Sequence, residues 1–365
     1  MKNVIIIYGG KSCEHDISII TACLAKGYFA NHNVYCVYLD KTDCAYLVPN
    51  DYTPAMHVSG KLKQKAVFLT GERSVGVLKR NRVIKRIPVD IAVNCCHGAH
   101  GEDGTVAALC GLLNAPIVGS DITSSAVAMD KILSKQVLSG LNLPVVDGFE
   151  VSKSNISRLD ELTAERAYPL IVKPNSLGSS IGVAVCKDYD ELVFNLNAAL
   201  KYDNRVLVET ALTDFYELNC AAMRVDGNVV TSRVDVPVTA HDILTFEDKY
   251  VNGETARPLK CEVDGETVNR VKALTEEIYS KIGFGGVIRV DYLFDNLGQK
   301  LYVNEINSIP GSLAYGLFND VYAITEYGDA LIKQAERDFS DKCGLVTAFS
   351  SSVLTQVGGI KGKKR

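Results

Sequence analysis

The sequence predicts an α/β protein of more than one domain, turning α+β in its later parts, and three observations carry that expectation. The chain is 365 residues long, beyond the size at which one hydrophobic core keeps growing. Residues 1–123 alternate short β-branched runs, at 4–8, 34–38 and 89–94, with helix-like stretches, the pattern of a parallel sheet flanked by helices. Hydrophobic residues make up 47% and charged residues 22%, which is enough apolar surface to fold without disulfides.

Two further units follow. Residues 124–212 give a helix near 124–140, a strand at 170–173, a Gly/Ser loop, a strand at 181–186, a helix at 189–201 and a strand at 205–209. Residues 213–365 open with a strand at 217–223, turn at Asp226-Gly227, and pass through a polar stretch to a long helix and a strand hairpin. Within that polar stretch, 237–260, no periodicity survives. A long ordered loop in a compact domain is usually functional, and a disordered surface insertion is the alternative.

Charge and cysteine usage exclude several classes. A net charge of -4 argues against nucleic-acid binding, which rests on clustered Lys and Arg. The one basic cluster, Lys361 to Arg365, is a solvated tail. Eleven cysteines without a CxxC pair read as small buried hydrophobes in a reducing compartment. The apolar run at 4–7 is too short for a signal-peptide core, and no stretch is long enough to span a membrane. These features predict a cytoplasmic protein with neither nucleic acid nor membrane as partner.

Three segments carry chemistry. Gly9-Gly10-Lys11-Ser12 is not a Walker loop, because that motif needs a glycine where Ile5 stands, and it is not the dinucleotide fingerprint either. It is a turn at the C-terminal edge of a parallel strand, carrying Glu14 to the mouth of the sheet. Lys173-Pro-Asn-Ser-Leu-Gly-Ser-Ser-Ile-Gly182 closes a strand with a lysine and then offers backbone N–H groups and hydroxyls to phosphate oxygens; a plain hairpin is the alternative. In the final hairpin, strands at 287–294 and 300–307 alternate faces, so Arg289 and Asp291 share one face, and Glu305 and Asn307 share another that can be the same one. Oxygen donors of this kind suit magnesium, and a surface salt-bridge cluster is the alternative.

With these residues in view, the chain resembles the D-alanine–D-alanine ligases over nearly its whole length. Gly9 through Glu14 and Ser18 resembles the family's first motif. His97-Gly-Ala-His-Gly-Glu-Asp-Gly-Thr105 resembles its histidine-glycine segment, followed by 116–120 and by 128–131. The loop 173–182 resembles its phosphate-binding loop, Phe246-Glu-Asp-Lys-Tyr250 its mobile loop, and Arg289, Asp291, Glu305 and Asn307 its metal-site pattern.

That resemblance implies a three-domain ATP-grasp architecture with ATP as co-substrate held between the second and third domains. It implies two magnesium ions, or manganese in their place, on Asp291, Glu305 and Asn307, and it allows a homodimer. Lys131 and Lys173 would contact the α- and β-phosphates, with Ser180 beside them in the loop. Glu209 would take the adenine amino group beside the backbone from Thr210 to Leu212, Glu217 the ribose, and Lys249 the γ-phosphate. Glu14 would bind the first D-alanine's ammonium, linked to Ser179 and Tyr250, with His97 nearby. Arg289 and the Gly311 N–H would stabilise the tetrahedral oxyanion.

The same resemblance implies ligation of two D-alanine molecules through D-alanyl phosphate for peptidoglycan precursors. The alternatives are a ligase using D-lactate or D-serine as acceptor and a nucleotide-binding relative without catalysis. One departure bears on the acceptor. Relatives carry a serine that hydrogen-bonds the second substrate's carboxylate, and Gly316 stands in its place. Ser312, the Tyr315 hydroxyl and backbone N–H groups are then the available substitutes.

Overall fold

A computed structural model describes residues 1–58, 64–237, 263–348, 350, 351 and 353. The N-terminal strands are β1 (Asn3–Gly9), β2 (Asn33–Leu39) and β3 (Ala45–Val48), then β4 (Ala66–Leu69), β5 (Ser74–Lys79), β6 (Arg82–Pro88), β7 (Ile91–Asn94) and β8 (Ile117–Val118). Their main sheet has the order β3-β2-β1-β7-β8. β1 runs parallel to β2 and β7, and only the edge strand β3 is antiparallel. The unbroken apolar run from Val4 to Tyr8 is buried throughout, as a central parallel strand covered on both faces must be. β4, β5 and β6 form a separate antiparallel sheet, which the sequence analysis did not foresee.

Two antiparallel sheets follow. β9 (Gly148–Ser152), β10 (Leu170–Pro174), β11 (Ala184–Cys186) and β12 (Arg205–Thr210) stand in the order β11-β10-β12-β9. β13 (Phe215–Val225), β14 (Asn228–Asp235), β15 (Val287–Asp295) and β16 (Lys300–Asn307) stand in the order β14-β13-β15-β16. The turn expected at Asp226-Gly227 joins β13 to β14, with both residues at positive φ.

Two expectations are corrected. The helix near 124–140 is two helices, Ile122–Met129 and Lys131–Gly140, because Asp130 between them is extended (φ -88, ψ 101) and its side chain caps the second at Leu133 N, 2.8 Å away. The strand expected at 181–186 begins only at Ala184, since Ser179, Ser180 and Gly182 all have positive φ and cannot extend.

One core joins the first and third sheets. Val4, Ile6 and Tyr8 of β1 cluster with Ala221 and Met223 of β13, Val287 of β15, and Tyr327 and Leu331 of the helix Ile324–Cys343. A second core lies between the third sheet and the helix Gly265–Ile282. Among the described residues no helix is long and apolar enough to cross a membrane, and every cysteine is free.

The crossing of helices His15–Tyr28 and Ile324–Cys343 depends on Gly328, where an added Cβ would lie 2.0 Å from the Tyr28 carbonyl oxygen. Alanine is the better helix former by about 1 kcal/mol, but overpacking costs roughly 1–3 kcal/mol. Gly328→Ala should therefore lower the thermal midpoint. Gly111→Ala, at an exposed position of the helix Thr105–Leu112 with nothing within 4 Å of the new Cβ, should raise it. Parallel thermal melts of the two variants check both signs.

Candidate active site

The turn after β1 places Glu14 at the N-cap of the helix His15–Tyr28, where the side chain is buried with 7% exposure. Its carboxylate accepts a short hydrogen bond from the Ser179 hydroxyl in the loop 173–182. The loop backbone lies so close that a Cβ on Gly178 would sit 2.7 Å from a Glu14 oxygen, so a larger residue there would push the Glu14 carboxylate aside. Burial pushes the Glu14 carboxyl up, and the neighbouring Glu102 carboxylate adds to it; the Ser179 hydroxyl and His97 oppose the shift.

Glu102 was quoted within the histidine-glycine segment but given no role there. Its carboxylate accepts from Gly98 N at 3.0 Å and from Ile309 N at 3.4 Å, tying that segment to the chain just before Gly311. His97 lies buried beside it, with Nδ1 3.7 Å from Glu102 and Nε2 2.8 Å from Thr21 Oγ1. Thr21 in turn accepts from Ser312 N at 3.3 Å. Neither contact could be anticipated, because each joins segments far apart in sequence.

Lys131 opens the helix Lys131–Gly140 and bridges two parts of the site. Its ammonium pairs with Glu305 at 2.8 Å and donates to the Leu177 carbonyl at 2.7 Å. Burial alone would lower it, but Glu305, Glu14 and Glu102 raise it above the ordinary lysine value. Four carboxylates, Glu14, Glu102, Asp291 and Glu305, thus collect with Lys131, Lys173 and Arg289 among the strong cations beside them.

The hairpin register sets Asp291 opposite Glu305 and Arg289 opposite Asn307, a shared face that the alternation allowed and that a register shift between Asp291 and Tyr292 produces. Arg289 holds both Asp291 oxygens, at 2.6 and 2.8 Å, and the Asn307 amide nitrogen donates to the same carboxylate at 3.0 Å. Among the described residues no group of three His, Cys, Asp or Glu gathers for a metal. Two carboxylates and an amide oxygen are nonetheless the donor set that magnesium takes when waters and phosphates complete its octahedron.

A cleft of about 740 Å³ opens between the second and third sheets, lined by Lys173, Glu209, Thr210, Leu212 and Glu217. A smaller cavity of about 100 Å³ adjoins it, walled by Lys131, Lys173, Ser180, Asp291 and Glu305. Lys173 belongs to both, and its ammonium meets Glu209 at 2.6 Å and Asn304 Oδ1 at 3.0 Å. Burial would raise the Glu209 carboxyl, but Lys173 and then Lys135 hold it below the ordinary range.

Gly311 begins a tight turn in which Ser312, Leu313 and Ala314 all have left-handed backbone angles. Tyr315 stacks between Tyr28 and Tyr327 and turns its hydroxyl to the Tyr322 carbonyl, 3.3 Å away. The structure therefore commits that hydroxyl to the protein, although it had been a candidate substrate donor. Gly316 is exposed, with nothing within 4 Å of a Cβ built there. Lys249 and Tyr250, and the mobile-loop expectation with them, lie outside the described residues.

Comparisons with known proteins agree with this geometry. Family models described as D-ala D-ala ligase N-terminus and C-terminus match residues 3–120 and 137–328. The chain is 33% identical to the D-alanine–D-alanine ligase of Thermosipho africanus, covering 97% of this chain and 98% of the relative. It is 30% identical to that of Helicobacter acinonychis, covering 88% and 91%. The crystal structure of the Helicobacter pylori D-alanine–D-alanine ligase superposes with a TM-score of 0.74 at 27% identity, over 92% of this chain and 98% of that one. The VanG D-Ala:D-Ser ligase of Enterococcus faecalis shares the fold, with a TM-score of 0.77 at 23% identity over 92% and 99%. Two matched models and full-length relatives, laid over the ATP-grasp arrangement of sheets and cleft, show that the chain belongs to the D-alanine–D-alanine ligase family.

Proposed function

We propose that the chain joins two D-alanine molecules to D-alanyl-D-alanine, consuming ATP and passing through D-alanyl phosphate, in the cytoplasmic supply of peptidoglycan precursors. The domain boundaries we assign are 1–123, 124–212 and 213–365. One observation carries the reading: the large cleft and the small carboxylate-walled cavity meet at Lys173, so a nucleotide in the cleft would extend its phosphates toward Asp291 and Glu305. Free cysteines throughout the described residues suit a reducing compartment.

The residues divide the work by charge. Thr210, Leu212 and Glu217 line the cleft that would take the base and ribose, while Lys131, Lys173 and Ser180 face the polyphosphate path. Glu14, steadied by Ser179, would hold the first D-alanine's ammonium, with His97 beside it. Asp291, Glu305 and Asn307 would hold magnesium, which offsets phosphate charge as the carboxylate approaches the γ-phosphorus. The D-alanine carboxylate oxygen bonds to that phosphorus as ADP leaves. The second D-alanine's amine then attacks the acyl carbon, phosphate departs, and the amine's proton is lost. Arg289 and the Gly311 N–H are the donors for the intervening oxyanion.

Acceptor choice is the second question. A serine hydroxyl at Gly316 is absent, the Tyr315 hydroxyl is occupied, and Ser312 is tied through its backbone to Thr21. A carboxylate lacking one charge-assisted hydrogen bond loses roughly 1.5–3 kcal/mol, so the acceptor site is loose. D-Serine or a D-hydroxy acid can then compete for the second position.

Three measurements follow from these assignments. Glu305→Gln keeps the shape but removes the charge; kcat should fall by roughly a hundredfold or more with a small change in melting temperature, and near wild-type turnover would remove Glu305 from the metal site. Arg289→Lys replaces a planar fork with a point charge, and the rate should fall by about 10²–10³; a loss under tenfold would deny it the oxyanion role. Gly316→Ser should lower the acceptor KM for D-alanine and sharpen its preference over D-serine and D-lactate, read by ADP release and product masses. Tight, exclusive use of D-alanine by the wild type would show that another donor already serves that carboxylate.

A further inference from the structure

The helix Lys131–Gly140 carries a second lysine one turn after Lys131, and the two part company. Lys131 goes to Glu305, whereas Lys135 pairs with Glu209 and also donates to the Val146 carbonyl. Glu209 is thereby held at both oxygens: Oε1 by Lys135 and Oε2 by Lys173. Glu209 is buried and the two lysines are largely so, with side-chain exposures of 5% for Glu209, 14% for Lys135 and 12% for Lys173.

The two lysines face different spaces. Lys173 and Glu209 line the nucleotide cleft. Lys135 does not; it borders a groove with Gln136, Phe149 and Leu207. A nucleotide can therefore reach Lys173 without touching Lys135. Two ammonium groups on one carboxylate leave a unit of positive charge at the cleft wall, which draws an anion.

We propose that Lys135 is a positioning residue for nucleotide binding, keeping Glu209 charged and in place while Lys173 exchanges Glu209 Oε2 for a phosphate oxygen. The vacated Oε2 then accepts the purine 6-amino group, so base and phosphate are bound by one exchange of partners. Asn304 keeps hold of Lys173 throughout. Without Lys135, moving Lys173 to a phosphate would strand a buried carboxylate with no cation, and breaking a buried pair in that way is strongly unfavourable. Lys173 would stay on Glu209.

This inference rests on the nucleotide-site reading above, and calorimetric titration of ADP and adenosine into the full chain separates the two. Failure of the wild type to bind either ligand would overturn the nucleotide site itself. With binding established, Lys135→Met should weaken ADP at least tenfold and shrink the ratio of ADP to adenosine affinity. Lys135→Arg should restore most of the loss. In turnover, Lys135→Met should raise the KM for ATP at least tenfold, with kcat at saturating ATP within threefold and the D-alanine KM unmoved. In a Glu209→Gln background, where no charge would be stranded, the same Lys135→Met change should alter ADP affinity less than threefold. ADP affinity unchanged in Lys135→Met, or an equal loss in both backgrounds, would reduce Lys135 to a structural lysine and overturn the proposal. Should Lys135→Met fail to fold, Lys135→Gln is titrated in both backgrounds and read by the same criteria.

Discussion

A carboxylate taken out of water must be met by hydrogen bonds or by opposite charge, and Glu14 is the point at which this structure faces that requirement. Its ionised form is disfavoured by burial and by Glu102, so the Ser179 hydroxyl is needed to hold it. That need fixes the loop 173–182 against the first sheet. Lys131 then donates to the same loop at Leu177 and pairs with Glu305 in the third sheet. The placement of three sheets around one site thus follows from pairing one buried anion and its neighbours.

The negative charge gathered here is the site's main electrostatic feature. Glu14, Glu102 and Glu305 act together on Lys131, and Asp291 is held by Arg289 and set opposite Glu305. Buried carboxylates are stable where cations or hydrogen bonds meet them. Across Lys173 the charge differs: Glu209 is held by two lysines, of which Lys173 lines the large cleft and Lys135 borders a separate groove. Adjoining cavities of unlike charge bias which end of a charged ligand each attracts.

The sequence made part of this legible. The hairpin could be read because side chains alternate and antiparallel pairing leaves few registers, but Asp291 stands opposite Glu305 only through a register shift between Asp291 and Tyr292 that counting residues does not reveal. The parallel strands showed as unbroken apolar runs. Lys135 and Thr21 did not show, since each sits on a helix whose partner is a distant segment, and spacing alone does not reveal a partner. Glu102 lay inside a quoted motif, yet its bond to Ile309 N spans 207 residues. The break at Asp130 was hidden because helical periodicity continues on both sides of it, whereas the cap chemistry of Asp130 was the usable sign. The small sheet of β4, β5 and β6 was missed because β6 is mostly exposed, so its apolar alternation is faint.

The turn after Gly311 shows what the scaffold does beyond gathering charge. Ser312, Leu313 and Ala314 in succession are left-handed, a conformation that costs about 1–2 kcal/mol per residue for side chains with a Cβ. Leu313 is buried, and hydroxyl groups of Tyr28 and Tyr327 donate to the Ser312 and Leu313 carbonyls at 2.9 and 2.6 Å. Those bonds point the two carbonyls into the protein, and Ser312 N is drawn to Thr21. A right-handed turn with the same sequence would reverse these directions and detach the segment from His97 and Glu102. Strain of this kind persists only where surrounding contacts over-determine it. Here the surrounding contacts hold the segment after Gly311 against Thr21, and through it against His97, before any ligand orders it.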